Sequence, residues 1–213
     1  NGEYFKMLKA AGVKLFHKVG SVRHAVHAEH AGYSGVLAAG VEEGGHPLND
    51  NVATTVLTPR MAESVRIPVV TVGGMADGRG LAAALCLGAE GIMMATRFIC
   101  THECDVHDNV REEIIRRQEY ETVLYGNTIG LQGRALKNET MDKVLAVEKR
   151  GGGLSEILPL ISGAHGPDIY EKGNVNAGAI GVGQSIGLIH DVVSCQELLD
   201  RIVREAKEII GRV

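Results

Sequence analysis

The sequence predicts a parallel α/β fold, the C-terminal half of a (β/α)8 barrel carrying a mainly helical appendage. Three observations predict it. Short apolar runs alternate with helical segments as far as residue 100. The runs are continuous rather than alternating in polarity, so both faces of each strand are covered. Glycines fall at the ends of the runs, with short connections between elements. Strand–helix alternation of this kind gives a parallel sheet flanked by helices.

Residues 4–11 (YFKMLKAA) read as a helix with no strand before it. VKLFHKV (13–19) is apolar and partly β-branched, a strand. Residues 21–32 form a helix that opens on Ser21 and closes on Gly32. YSGVLAAGVE (33–42) is a buried strand of small residues. Residues 58–66 are a helix, 67–74 (IPVVTVGG) a strand ending in two glycines, and 77–89 a helix capped by Asp77. EGIMMATRF (90–98) is the fourth strand. Four strands cannot close a parallel barrel, which takes about eight. The two-glycine strand end, followed by a strand ending in ATRF, favours half a barrel over an open sheet. The chain starts at Asn1 in the middle of this pattern, so an N-terminal barrel half is expected to precede it.

Beyond residue 100 the alternation stops. HDNVREEIIRRQEYE is a charged helix, 128–151 a loop and then a helix, and GGGLSEILPLISG a helix between glycines. A long amphipathic helix ends the chain, with Ser194 as cap and Glu197 at its third position. The expected division is a barrel half over 1–100 and a helical, substrate-side appendage with the terminal helix over 101–213.

An apolar content of 45% allows a sizeable core, and a net charge of −4 without a basic run argues against nucleic acid and anionic membrane. No apolar stretch is long enough to span a bilayer, and no signal-peptide pattern occurs. The four cysteines are scattered without a CxxC, which fits thiols in a reducing cytosol. Cys100, His102 and Cys104 match no common zinc spacing, and His24, His27 and His30 fit a solvated helix face better than a metal stripe.

Four places could carry chemistry. Gly73 and Gly74 end one strand and Ala95-Thr96 end the next. Two adjacent strand ends without bulk suit a phosphate on backbone N–H groups, or else are turns packed for shape. Lys18 stands on an apolar strand, either reaching a mouth where it offsets developing negative charge or snorkelling to solvent. His46 follows Gly44-Gly45 at a strand end, where a neutral imidazole can take a proton; the alternative is a loop histidine with no task.

GVEEGGHP, IPVVTVGGMADGRGLAAALCLGAEGIMMATRF and GAIGVGQSIGLIHD together resemble the nitronate monooxygenase family, over nearly the whole chain and in order. The family is similar to the flavin-dependent enoyl-ACP reductases. The resemblance implies an FMN-binding eight-stranded barrel with His46 as base, Lys18 at the flavin ring, Gly44 beside it, and Gly73, Gly74, Ala95 and Thr96 as phosphate cradle. It implies oxidation of a nitronate or nitroalkane by O2 to a carbonyl compound and nitrite, in the cytoplasm, with a homodimer left open. Ala95 stands where the family usually has glycine, and Pro47-Leu48 where Pro-Gly is common. The rival readings are an NADH-dependent enoyl-ACP reductase and a flavin-binding module without turnover.

Overall fold

A computed structural model describes residues 2–212. Helix α1 (Glu3–Ala10) leads into a four-stranded parallel sheet, β1 (Phe16–Val19), β2 (Gly35–Ala39), β3 (Val69–Val72) and β4 (Gly91–Met93). The strands lie in sequence order, with Phe16 opposite Gly35, Val36 opposite Val69 and Val70 opposite Gly91. An open doubly wound sheet reverses its strand order at a switch point, whereas a barrel adds each strand beside the last. The unbroken order is therefore that of barrel strands, as expected.

Helices α2 (Val22–Ala31), α3 (Thr54–Ser64) and α4 (Gly78–Cys86) make the crossovers. Val19, Val36 and Val69 from the strands pack on Ala25 and Ala28 of α2 and on Leu57 and Met61 of α3. The small residues of α2 let that helix lie close to the sheet. Asp77 caps α4 as predicted, accepting from the N–H groups of Arg79 and Gly80. Ser21 precedes α2 but makes no cap hydrogen bond. α3 begins at Thr54, four residues before the predicted start.

Three differences from the predicted elements bear on the site. The fourth strand ends at Met93, and Thr96–Ile99 form a short helix, α5. The turn carries the buried Arg97 to the carbonyls of Cys100 and Asp191 and to the Asp191 carboxylate. Second, the appendage contains an antiparallel hairpin, β5 (Thr122–Tyr125) and β6 (Gly133–Leu136), where a loop was expected over most of its length. Third, residues 163–189 are largely irregular, with short 3-10 and π turns.

The remaining helices match the prediction more closely. They are α6 (Asp108–Arg116), α7 (Glu139–Lys149), α8 (Leu154–Ile161) and the terminal α9 (Cys195–Ile210). Ser194 caps α9 by accepting from the N–H of Glu197. α9 lies along α4, burying Leu198 and Ile202 against Leu81 and Phe98. The appendage core gathers Cys100, Val110, Ile114, Leu136, Ile180, Val182 and Ile186.

Burial pushes the Cys100 thiol up to about 11, against the pull of Arg97 and Arg111. The thiol therefore stays protonated, and thiolate is the reactive form. Native protein treated with iodoacetamide at pH 8 should be modified at the exposed Cys86 and not at Cys100. Peptide mass spectrometry checks this, and Cys100 should label only after denaturation.

Candidate active site

The four parallel strands all end on one side, and their C-terminal ends supply the site. In a barrel the loops beyond those ends are where ligands meet the protein. Lys18 lies near the end of β1. The loop after β2 carries Glu42, Glu43, Gly44 and His46. Gly73 and Gly74 follow β3, and Ala95 and Thr96 follow β4. All of these except His46 border a cleft of about 170 Å³, with Met93 and Met94 as an apolar wall and Gly183 and Ser185 reaching in from the appendage.

The strand-end glycines differ in what surrounds them. Gly73 and Gly74 both have positive φ, +101° and +74°. A Cβ at Gly73 would stand 2.9 Å from the Glu43 nitrogen, while one at Gly74 would project toward open space, its nearest neighbour Glu42 Cβ at 3.8 Å. Among the turn, loop and cap hydrogen bonds of the described residues, none uses an N–H of Gly73, Gly74, Ala95 or Thr96 as donor. Those of Ala95 and Thr96 begin α5, where helix geometry leaves the first N–H groups without intrahelical partners. Thr96 is otherwise occupied at its hydroxyl, which accepts from the N–H of Gly183 at 3.0 Å.

Gly44 is a point of contact between two backbones. A Cβ there would lie 2.3 Å from the Val182 carbonyl carbon and 2.5 Å from the Gly183 nitrogen. Gln184 N–H donates to the Glu42 carbonyl at 2.9 Å on the same seam. Gly45 next to it pairs with Arg134 of β6 through two backbone hydrogen bonds of 3.0 and 2.7 Å. The loop is thus held by the appendage from two directions.

The charged groups are arranged around this loop. Lys18 Nζ donates to Glu43 Oε1 at 2.9 Å and to the His46 carbonyl at 2.8 Å. Burial raises the Glu43 carboxyl above its ordinary value, and the hydrogen bond and charge of the Lys18 ammonium oppose the rise. Glu42 turns the other way and accepts from the Thr54 N–H and hydroxyl. Arg134 is buried, donating to the Val41 carbonyl and the Thr122 hydroxyl; burial lowers its pKa and Glu42 counters that.

His46 is exposed at the rim rather than lining the cleft. Its Nδ1 stands 3.4 Å from the Gln132 carbonyl oxygen, a long contact. A carbonyl only accepts, so the contact favours the tautomer with hydrogen on Nδ1 and a free lone pair on Nε2. Gln132 is itself tied by its side chain to Asn51 at 2.9 Å.

Of the residues singled out in the sequence, Lys18, Gly44, Gly73, Gly74, Ala95 and Thr96 come together on one cleft, and His46 joins them through its carbonyl. Glu43, Gln132, Arg134, Gly183 and Ser185 were not singled out. The paired acids of VEEGG after an apolar strand were the available signal for Glu43, and the glycines of GVGQS for Gly183. A larger cavity of about 420 Å³ lies between α4 and α9, where Asp191 holds Arg97 and Arg201 and Asp77 holds Arg79.

Comparison with known proteins gives the family and the fold. A family model described as nitronate monooxygenase matches residues 2–205. The (3aS,4S,5R,7aS)-5-hydroxy-7a-methyl-1-oxo-octahydro-1H-indene-4-carboxyl-CoA dehydrogenase of Rhodococcus jostii is 32% identical, the match covering 96% of this chain and 67% of that protein. A probable nitronate monooxygenase of Staphylococcus saprophyticus is also 32% identical, over 96% of this chain and 60% of its own length. Among solved structures, FabK from Thermotoga maritima superposes with a TM-score of 0.92 at 35% identity, over 99% of this chain and 66% of FabK. The nitroalkane oxidase of Streptomyces ansochromogenes, at 22% identity, shares the fold with a TM-score of 0.82, over 99% of this chain and 62% of its own. The chain thus spans about two thirds of the length of these relatives.

The Gly44 contact yields a direct expectation. The atoms a Cβ would meet are backbone, which cannot swing aside. Gly44→Ala should destabilise the protein by roughly 1–3 kcal/mol, as overpacking does. A lowered midpoint in urea unfolding checks it.

Proposed function

Because the chain belongs to the nitronate monooxygenase family of oxidoreductases, we propose that it binds FMN in the strand-end cleft and oxidises alkyl nitronates, and nitroalkanes, with O2 to a carbonyl compound and nitrite. The observation that carries the reading is the pair of adjacent strand ends, after β3 and β4, which line the cleft together and whose N–H groups donate to none of the turn, loop or cap hydrogen bonds of the described residues. Such groups suit a phosphate. The space beside Gly74, which a Cβ would enter, and the thioether wall of Met93 and Met94 fit a flat ring system with a charged tail. Gly73, Gly74, Ala95 and Thr96 would hold the phosphate, Gly44 would lie beside the ring, and Lys18 would face it. When bound, FMN supplies the electron transfer.

The chain's own part in the chemistry is the proton. A neutral nitroalkane must lose its α-proton before it can be oxidised. In this reading Nε2 of His46 would take that proton, with the long 3.4 Å contact from Nδ1 to the Gln132 carbonyl favouring a lone pair on Nε2. A nitronate has lost that proton already. The described residues contain no helix long and apolar enough to cross a membrane, and the four cysteines are free, which supports a cytoplasmic setting.

The likeness to a CoA-ester dehydrogenase and to FabK favours one second reading, redox chemistry on an acyl thioester with NADH. His46 would then serve as proton donor or substrate anchor. Oxygen uptake with a nitronate, set against NADH oxidation with an enoyl thioester, separates the two.

Two variants test the first reading. Gly74→Ala, the smallest side chain this left-handed turn would have to carry, should keep the far-UV circular dichroism of the wild type but lose flavin on purification, seen as loss of the yellow visible spectrum; undiminished colour removes the cradle from this place. His46→Asn should lose about 10²–10⁴-fold in turnover of a neutral nitroalkane, the usual contribution of a positioned base. With the preformed nitronate it should turn over at near wild-type rate. Equal losses on both substrates would make His46 a binding residue.

A further inference from the structure

Glu43 stands apart from the proton chemistry and the phosphate cradle, yet its carboxylate borders the same cleft and is 6% exposed. Its partner is Lys18, at 2.9 Å, the lysine of that lining. Lys18 is held between this carboxylate and the His46 carbonyl, so its place is fixed from two sides. The second carboxylate of the loop, Glu42, does not share the task, because it faces Thr54 and the Arg134 charge. Whatever enters the cleft therefore meets Lys18 as half of an ion pair rather than as a free cation.

We propose that Glu43 is a specificity-determining residue, which acts through Lys18 to set how strongly the cleft attracts an anionic substrate relative to a neutral one of the same shape. This rests on the reading that, with FMN in the cleft, a small nitro compound, neutral as nitroalkane or anionic as nitronate, reaches the Lys18 end beside the ring. With Glu43 ionised, the pair offers an anion little net attraction, and the neutral form competes on shape. Removing the carboxylate charge leaves Lys18 with only the dipole of the His46 carbonyl, and the cleft becomes selective for anions. Burial alone disfavours the charged Glu43 carboxylate, and the hydrogen bond and charge of Lys18 oppose that, so the ionised carboxylate depends on the pair, whose lysine end is partly open to water.

The test uses the purified protein with nitrate, a planar unreactive anion shaped like a nitro group, and with nitroethane at a pH where it is undissociated. Both are titrated by calorimetry, which needs no flavin signal, into wild type, Glu43→Gln and Glu43→Ala. Nitrate should bind about tenfold more tightly to both variants, the effect of one uncompensated charge at close range in a partly screened site. Nitroethane affinity should not change. Equal nitrate affinity in all three proteins overturns the proposal, as does equal tightening of nitrate and nitroethane. Failure of both variants to fold also overturns it, by making Glu43 a stability residue. Flavin content is recorded separately: wild-type protein without FMN counts against the reading of the cleft, while the nitrate comparison still decides the role of Glu43.

Discussion

The approach of two backbones at Gly44 is the constraint on which the site depends. Val182 and Gly183 lie so close that no side chain fits between them and the loop after β2. That contact fixes the loop's height above the sheet, and the other features follow from it. Gly183 can reach the Thr96 hydroxyl, and Gln184 can reach the Glu42 carbonyl. Gly45 can pair with Arg134, which directs His46 toward Gln132. The barrel half supplies strand ends, and the appendage supplies the surface that holds them in register.

Charge is distributed with the same economy of contacts. Burying an ion without a partner is costly, and buried ions are therefore paired or well hydrogen-bonded. Lys18 and Glu43 form one pair, and Arg134 is satisfied by a carbonyl and a hydroxyl with Glu42 near enough to feel its charge. The two adjacent glutamates have different partners: Glu42, within the turn closed by the Glu43 N–H on the Gly40 carbonyl, reaches Thr54, and Glu43, just past that turn, reaches Lys18. The result is one carboxylate that ties the loop to Thr54 and one that pairs with Lys18 at the cleft.

Much of the barrel half was legible in the sequence because its signals are local. Continuous apolar runs mark strands buried on both faces, and Asp77 and Ser194 cap the helices that follow them. The cleft residues Lys18, Gly44, Gly73, Gly74, Ala95 and Thr96 sit at strand ends, which the same runs locate. The family resemblance assigned their roles. The hairpin of β5 and β6 was not legible: Tyr125 and Gly133 pair across a turn with glycines on both sides, and GLQGRAL has no alternation of polarity. Thr96 and Arg97 looked like a strand continuing, and only the contacts with Gly183 and Asp191, some ninety residues away, explain the turn into α5. Glu43 matters through Lys18, 25 residues back, and Gln132 through His46, 86 residues back, and spacing alone cannot show such partners.

The pairing of Gly45 with Arg134 joins positions far apart in the sequence, and the seam at Gly44 joins positions farther apart still. Contacts of long sequence separation close large loops and are slow to form, whereas neighbouring strands with their crossover helices close small ones. The sheet of β1 to β4 can thus assemble as the polypeptide emerges, while the histidine loop waits for the hairpin and the 180–185 segment to arrive. By loop-closure entropy, completion of the cleft is then expected late in folding for this architecture. A chain interrupted after α5 would hold the strands that frame the cleft but none of the backbone that closes over it.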